Sequence, residues 1–254
     1  MIDPLYTLSG FAVGALVGLT GVGGGSLMTP ILILLFGVSP VTAIGTDLLF
    51  AACTKTVAAA VHAQSKTIDW AVTGRLAMGS IPATVLTMVA LNAISNQTGA
   101  VAGVLTPILA VAILATAAML LFDKQAVRFV SARTARLPVG PTTVGVGAAL
   151  GFLVSLTSIG AGALGVTALT LLYPRLPMTR VVGSDIAHAI PLTLLAGIGY
   201  WWLGVVDWPL LGSLLSGSIP GVVLGSLLAT RVPTSVLRGV LATVLSLVAG
   251  KLLA

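Results

Sequence analysis

Four side chains and one stretch of backbone could carry chemistry in this sequence. Asp47, Lys55, Asp185 and His188 are ionisable, and all four lie inside long apolar runs. Charge in such a setting is expensive and marks function by default. Thr20-Gly21-Val22-Gly23-Gly24-Gly25-Ser26 interrupts another apolar run. Glycine lets a chain leave helical geometry and come close to a ligand. If a helix begins near Gly25, the amides of Gly23, Gly24, Gly25 and Ser26 are free donors at a positive dipole end, suited to an anion. The stretch returns as Thr157-Ser158-Ile159-Gly160-Ala161-Gly162-Ala163. Amides around Gly160 and Gly162, with hydroxyls on Thr20, Thr157 and Ser158, would complete a two-sided site. Lys55 would be its counter-charge. Asp47, Asp185 and His188 would be proton-coupling or structural, since a carboxylate can also serve simply to accept bonds from a broken helix. The plain alternative is that each break is a packing point and binds nothing.

Composition fixes the setting of these residues. Of 254 residues 57% are hydrophobic and only 7% charged, and the mean hydropathy is +1.14. A soluble domain of this size cannot hide that much apolar surface, so the expectation is a helical chain that crosses a membrane several times. The formal net charge of +6 would suggest nucleic acid in a soluble protein. Here the basic residues sit between apolar segments, as topology signals do, and nucleic acid is not an expected partner. Cys53 is the sole cysteine, so no intrachain disulfide can form. Met1-Ile2-Asp3-Pro4 lacks the positive start of a signal peptide, and the first apolar run is expected to remain. The sequence shows no metal-ligand cluster, nucleophile triad or nucleotide-binding loop. No cofactor and no enzymatic activity are expected.

Eight apolar segments span 6–36, 40–62, 70–91, 98–122, 142–172, 177–201, 208–229 and 234–253. The first and fifth are too long for one simple crossing, and they carry the two glycine breaks. The chain is also duplicated. Ile68-Asp69-Trp70 matches Val206-Asp207-Trp208. Gly79-Ser80-Ile81-Pro82 matches Gly217-Ser218-Ile219-Pro220 at the same spacing, as does Ala43-Ile44-Gly45-Thr46-Asp47 with Val181-Val182-Gly183-Ser184-Asp185. The breaks align at a spacing shorter by one, Gly23 on Gly160 and Gly25 on Gly162, which predicts an inserted residue between break and aspartate. Repetition at one spacing indicates an internal repeat. The single transmembrane domain, 1–254, thus divides into a first repeat at 5–122, a basic connecting loop at 123–141, expected to be cytoplasmic, and a second repeat at 142–253.

Charge then predicts orientation. Lys66, Arg75, Lys124, Arg128, Arg133, Arg136, Arg175, Arg180, Arg231 and Arg238 flank alternate connections, whereas those near 37–39, 92–97 and 202–206 carry no basic residue. With the basic connections inside, segment five must begin and end inside, and segment one must begin and end outside. Leu8 to Thr20 and Gly25 to Phe36 are each about half of a ~30 Å hydrocarbon layer at 1.5 Å per residue. The expected fold is therefore an all-α polytopic membrane protein of two inverted-topology repeats. Each repeat has a glycine-broken re-entrant helical hairpin plus three transmembrane helices, and both termini are outside. Eight plain crossings with a parallel repeat would instead leave Arg175, Arg180, Arg231 and Arg238 outside.

Smaller signals concern packing. Gly10, Gly14 and Gly18, matched by Gly147, Gly151 and Ser155, have the small-xxx-small spacing that lets helices touch backbone to backbone. Gly217, Gly221 and Gly225 repeat it. Pro30, Pro82, Pro107, Pro191 and Pro220 fall inside segments as expected kinks. Trp70, Trp201, Trp202 and Trp208 fall at segment ends, like interfacial anchors.

Gly21-Val22-Gly23-Gly24-Gly25-Ser26 followed by Pro30, then Ala43-Ile44-Gly45-Thr46-Asp47, then Ile68-Asp69-Trp70, all of it repeated, resembles the TauE/SafE sulfite exporter family over nearly the whole chain. The resemblance implies a secondary transporter of the bacterial inner membrane that exports small sulfur-containing anions: sulfite, sulfoacetate or related organosulfonates. The second break departs from the pattern, with Ser158 and Ala161 in place of glycines. Uptake of thiosulfate, a thiol or a cation is the alternative within transport; a membrane assembly factor or enzyme is the alternative outside it. The expected partners are the anion and the lipid bilayer, and the oligomeric state stays open, a homo-oligomer included.

Overall fold

A computed structural model of the chain describes residues 3–20, 25–64, 67–95, 103, 105, 107–109, 111, 138–160 and 162–228. Segment eight, most of segment four and nearly all of the basic central loop lie outside the described residues. What is described is helical, with no strand among the described residues. Helices are the form in which an apolar run satisfies its own backbone without water.

The helices are α1 (Pro4–Thr20), α2 (Gly25–Leu34), α3 (Pro40–Gln64), α4 (Trp70–Ser95), α5 (Val139–Thr157), α6 (Ala163–Leu172), α7 (Met178–Trp202) and α8 (Trp208–Leu228). Five of them, α3, α4, α5, α7 and α8, are long and apolar enough to cross a membrane. The two long segments are each divided into two helices at the glycine-rich stretch. Their arms are unequal: α1 and α5 have 17 and 19 residues, whereas α2 and α6 have 10 each. At 1.5 Å per residue the first arms are about 26 and 28 Å long and the second about 15 Å. The first arms outrun the half-layer length expected because helix begins several residues upstream, at Pro4 and Val139.

Packing makes the same contact twice with the two halves exchanged. α1 runs parallel to α8, with Gly10, Gly14 and Gly18 laid against the backbone at Leu214, Ser218 and Val222. α5 runs parallel to α4, with Gly147 and Gly151 laid against Leu76 and Ser80. A Cβ added at Gly14 would collide with the Ser218 carbonyl oxygen, and one at Gly151 with that of Ser80. Only a residue without Cβ permits this approach. Gly217, Gly221 and Gly225 answer from α8 against Thr7, Phe11 and Ala15.

α3 and α7 cross the centre antiparallel, Gly45 against Tyr200 and Gly197 against Leu49. The repeated Asp-Trp motif turns out to be a start signal and a cross-link. The Asp69 carboxylate accepts from the amides of Ala71 and Val72 at the head of α4, and that of Asp207 accepts from Leu210 at the head of α8; short acceptors favour this capping position. The Asp69 amide donates to Ser184 Oγ at 2.8 Å, and the Asp207 amide donates to Thr46 Oγ1 at 3.1 Å. The four tryptophans are exposed at helix ends, with Trp201 and Trp208 in edge contact. Pro30, Pro82, Pro191 and Pro220 lie within helices.

Candidate functional site

The ionisable residues picked out in the sequence converge on the α3–α7 pair. Asp47, Lys55, Asp185 and His188 are each at most 1% exposed. In a chain that must bury apolar faces on several neighbours, α3 and α7 are the helices enclosed on most sides, so their polar residues end up inside. Asp47 and Lys55 come from α3, Asp185 and His188 from α7.

Each aspartate stands beside the opening turns of a second arm. Asp47 Oδ2 accepts from the Thr29 amide at 3.2 Å and from Thr29 Oγ1 at 2.5 Å, which ties α3 to α2. Two donors on one oxygen offset much of the cost of burying a carboxylate. Ser158, from the second break, faces the same carboxylate, but neither Ser158 Oγ nor Asp47 Oδ1 closes a hydrogen bond among the described residues. Asp185 packs against Gly165 so tightly that a Cβ there would meet Asp185 Oδ1. Neither oxygen of Asp185 is hydrogen-bonded among the described residues. Lys55 is within electrostatic reach of both aspartates, Asp185 on the facing helix α7 and Asp47 on its own helix.

His188 Nε2 lies 2.8 Å from Ser80 Oγ on α4. In the first repeat the counterpart of His188 is Phe50, wholly buried, and in the second repeat the counterpart of Ser80 is Ser218. Ser218 Oγ has no hydrogen-bond partner among the described residues, as expected where the imidazole is replaced by a phenyl ring. The counterpart of Lys55 is Thr193, whose hydroxyl turns back to the Ala189 and Ile190 carbonyls. The duplicated frame therefore holds an unduplicated set of charges.

At the second break, Thr157 closes α5 and commits its hydroxyl to the turn. It donates to the Leu153 carbonyl oxygen at 2.7 Å and accepts from the Ile159 amide at 3.1 Å. Ser158 has φ 58°, and Gly160 and Gly162 have φ 119° and 129°, so the reversal uses left-handed backbone that glycine tolerates. Gly162 caps α6 without a side-chain hydrogen bond, and the amides of Ala163 and Leu164 have no acceptor within the helix they open. At the first break Gly25 and Ser26 open α2 and Thr20 closes α1; Gly23 and Gly24 lie outside the described residues. Among the described residues no three His, Cys, Asp or Glu side chains are grouped to hold a metal ion. Sequence reasoning missed Thr29, Gly165 and the partner role of Ser80. Thr29 and Thr167 stand at the repeat spacing, a match that could have flagged the first of them.

The family model for sulfite exporter TauE/SafE matches residues 6–252. The chain is 38% identical over 226 residues to the probable membrane transporter protein YjnA of Bacillus subtilis (strain 168), a match that covers 85% of this chain and 86% of that protein. No solved structure matches. The chain belongs to the TauE/SafE sulfite exporter family; it is a membrane transporter and not an enzyme.

Proposed function

We propose that this transporter exports a small sulfur-containing anion, sulfite or an organosulfonate such as sulfoacetate, across the bacterial inner membrane. The anion sits between the two glycine breaks, on the amides that open α2 and α6 and on Lys55. The observation that carries this reading is Lys55 itself, a wholly buried cation in the helix pair that both second arms address. A buried ammonium beside helix-opening amides favours a negative ligand, and it disfavours a cation as cargo. Export needs no nucleotide. The membrane potential supplies ~2.3 kcal/mol per charge per 100 mV. For a dianion that is ~4.6 kcal/mol, about three decades of concentration at ~1.4 kcal/mol per decade.

The frame that serves this site is, in our reading, a pair of inverted repeats, 5–122 and 142–253, each a re-entrant hairpin plus three crossings, with both termini outside. Parallel packing of α1 on α8 and of α5 on α4, antiparallel α3 and α7, and the exchanged Asp69–Ser184 and Asp207–Thr46 bonds support it. In a Cys53→Ser background, cysteines at Asn96 and Arg133 are expected to label from opposite faces of oriented membranes. Labelling of both from one face contradicts the inverted frame.

Transport is tested by loading proteoliposomes with sulfite and imposing an interior-negative potential. Wild-type protein is expected to release it, and Gly24→Leu, which fills the first break, is expected to release it no faster than protein-free vesicles. Wild-type release at the protein-free rate overturns the reading, and undiminished release by Gly24→Leu overturns the placement.

A further inference from the structure

We infer that the cargo is an anion with a hydrogen-bond donor of its own, hydrogensulfite or a hydroxylated sulfonate, and that Asp185 selects it by accepting that bond. The inference rests on the anion reading above and names which anions fit the same site.

The helix start that would take the anion has a carboxylate at its side. Gly165 is the third residue of α6, and a Cβ there would meet Asp185 Oδ1. The Gly165 amide donates to the Gly160 carbonyl oxygen at 3.1 Å, and the Val166 amide to that of Gly162 at 2.9 Å. The amides that α6 leaves open, those of Ala163 and Leu164, therefore come immediately before the residue that Asp185 packs against. An anion on those amides lies beside Asp185, and a bare one sets its charge against a carboxylate.

Asp185 is also short of donors. It is wholly buried, with neither oxygen hydrogen-bonded among the described residues. Its counterpart shows what such a carboxylate takes up: Asp47 accepts from both the amide and the hydroxyl of Thr29. Thr167 stands at the place of Thr29 in the second repeat, yet makes no hydrogen bond to Asp185. A buried acceptor without a donor is costly. The other buried side-chain atoms without a partner among the described residues are Asp47 Oδ1, the Ser158 and Ser218 hydroxyls and His188 Nδ1. None of these is an obligate donor.

One ligand satisfies both sides. Its oxygens accept from the amides that open α6, and its own hydroxyl donates to Asp185. Such an anion keeps one negative charge, so the membrane potential still drives it outward. Gly165 has its place in this, because only a residue without Cβ lets the carboxylate come up to the helix start.

Displacement of labelled sulfite from the purified full-length protein by hydroxyethanesulfonate and by propanesulfonate tests this. The two are equal in charge and close in size, and only the first has a donor. Wild-type protein is expected to release sulfite at about 10- to 100-fold lower concentration of hydroxyethanesulfonate, the range for a hydrogen bond to a charged group. In Asp185→Asn, hydroxyethanesulfonate is expected to bind more weakly and propanesulfonate at least as well as before, because the opposing charge is gone. Gly165→Ala, whose methyl group takes the place of the carboxylate, is expected to narrow the preference too. Equal displacement of sulfite by both anions, as a protonated Asp185 donating to either would give, or displacement by neither, overturns the selection and leaves the anion site standing. A preference that survives in Asp185→Asn, or a loss of both anions there, overturns the role of Asp185. Absence of sulfite binding to the wild type overturns the anion site and the selection together.

Discussion

Lys55→Met is expected to abolish sulfite flux while the protein remains folded and monodisperse. The side chains are close in length, so the packing of α3 against its neighbours is kept and only the charge is lost. Removing one partner of a buried charge pair costs about 3–5 kcal/mol. If the anion depends on that partner, the loss is about two to three and a half orders of magnitude in affinity at ~1.4 kcal/mol per decade. The fold survives because a stranded buried carboxylate neutralises itself by taking up a proton. Lys55→Arg distinguishes charge from shape: a guanidinium keeps the charge but needs more room and more acceptors, so flux is expected to be low and not zero. Radiotracer efflux from proteoliposomes, normalised to the amount of inserted protein, measures both variants. Wild-type flux in Lys55→Met would show that the buried cation serves the fold alone.

The second large effect is steric. Gly79→Ala drives a Cβ into the Val144 carbonyl oxygen, and Gly217→Ala does the same to Thr7 across the equivalent contact. Backbone cannot yield as a side chain can, so α4 must part from α5, and α8 from α1. Overpacking of a tight contact typically costs about 1–3 kcal/mol, a sizeable share of a total stability of roughly 5–15 kcal/mol. Gly74 and Gly212 lie on the same two helices, again at matching places in the repeat, with nothing within 4 Å of an added Cβ. Alanine there removes an intrinsic helix penalty of up to ~1 kcal/mol. In detergent, the thermal unfolding temperatures of Gly79→Ala and Gly217→Ala are expected to fall sharply, and those of Gly74→Ala and Gly212→Ala to hold or rise. Equal behaviour of all four would contradict the backbone-to-backbone packing.

These contrasts also show what the sequence can and cannot disclose. Gly10, Gly14 and Gly18 announce a close helix contact through their spacing, because close approach demands small residues at that interval on any helix. They do not announce the partner, which is α8 from the other half of the chain. Glycine and apolar length likewise predict where the long segments break, and Asp69 and Asp207 sit where a helix must start. Arm length is harder to read, because an apolar count begins at Leu8 whereas the helix begins at Pro4.

The candidate site was legible as a set of residues and not as a set of partners. Burial cost alone singles out Asp47, Lys55, Asp185 and His188. The contact of His188 with Ser80 joins the two halves of the chain and depends on how two helices face each other, which periodicity does not encode. Thr29 and Ser80 were hidden for a related reason. A lone hydroxyl in an apolar helix reads as filler until the acceptor opposite it is known. The difference between the aspartates emerges only there, since Asp47 has Thr29 to hold it and neither oxygen of Asp185 is hydrogen-bonded among the described residues.

Direct binding of labelled sulfite to the purified transporter tests the central claim, that Lys55 marks an anion site between the two breaks. The account predicts saturable binding to the wild type that chloride does not displace, and affinity reduced by about two orders of magnitude in Lys55→Met, as loss of a buried charge partner requires. Sulfite bound equally well by both proteins, or by neither, would contradict it.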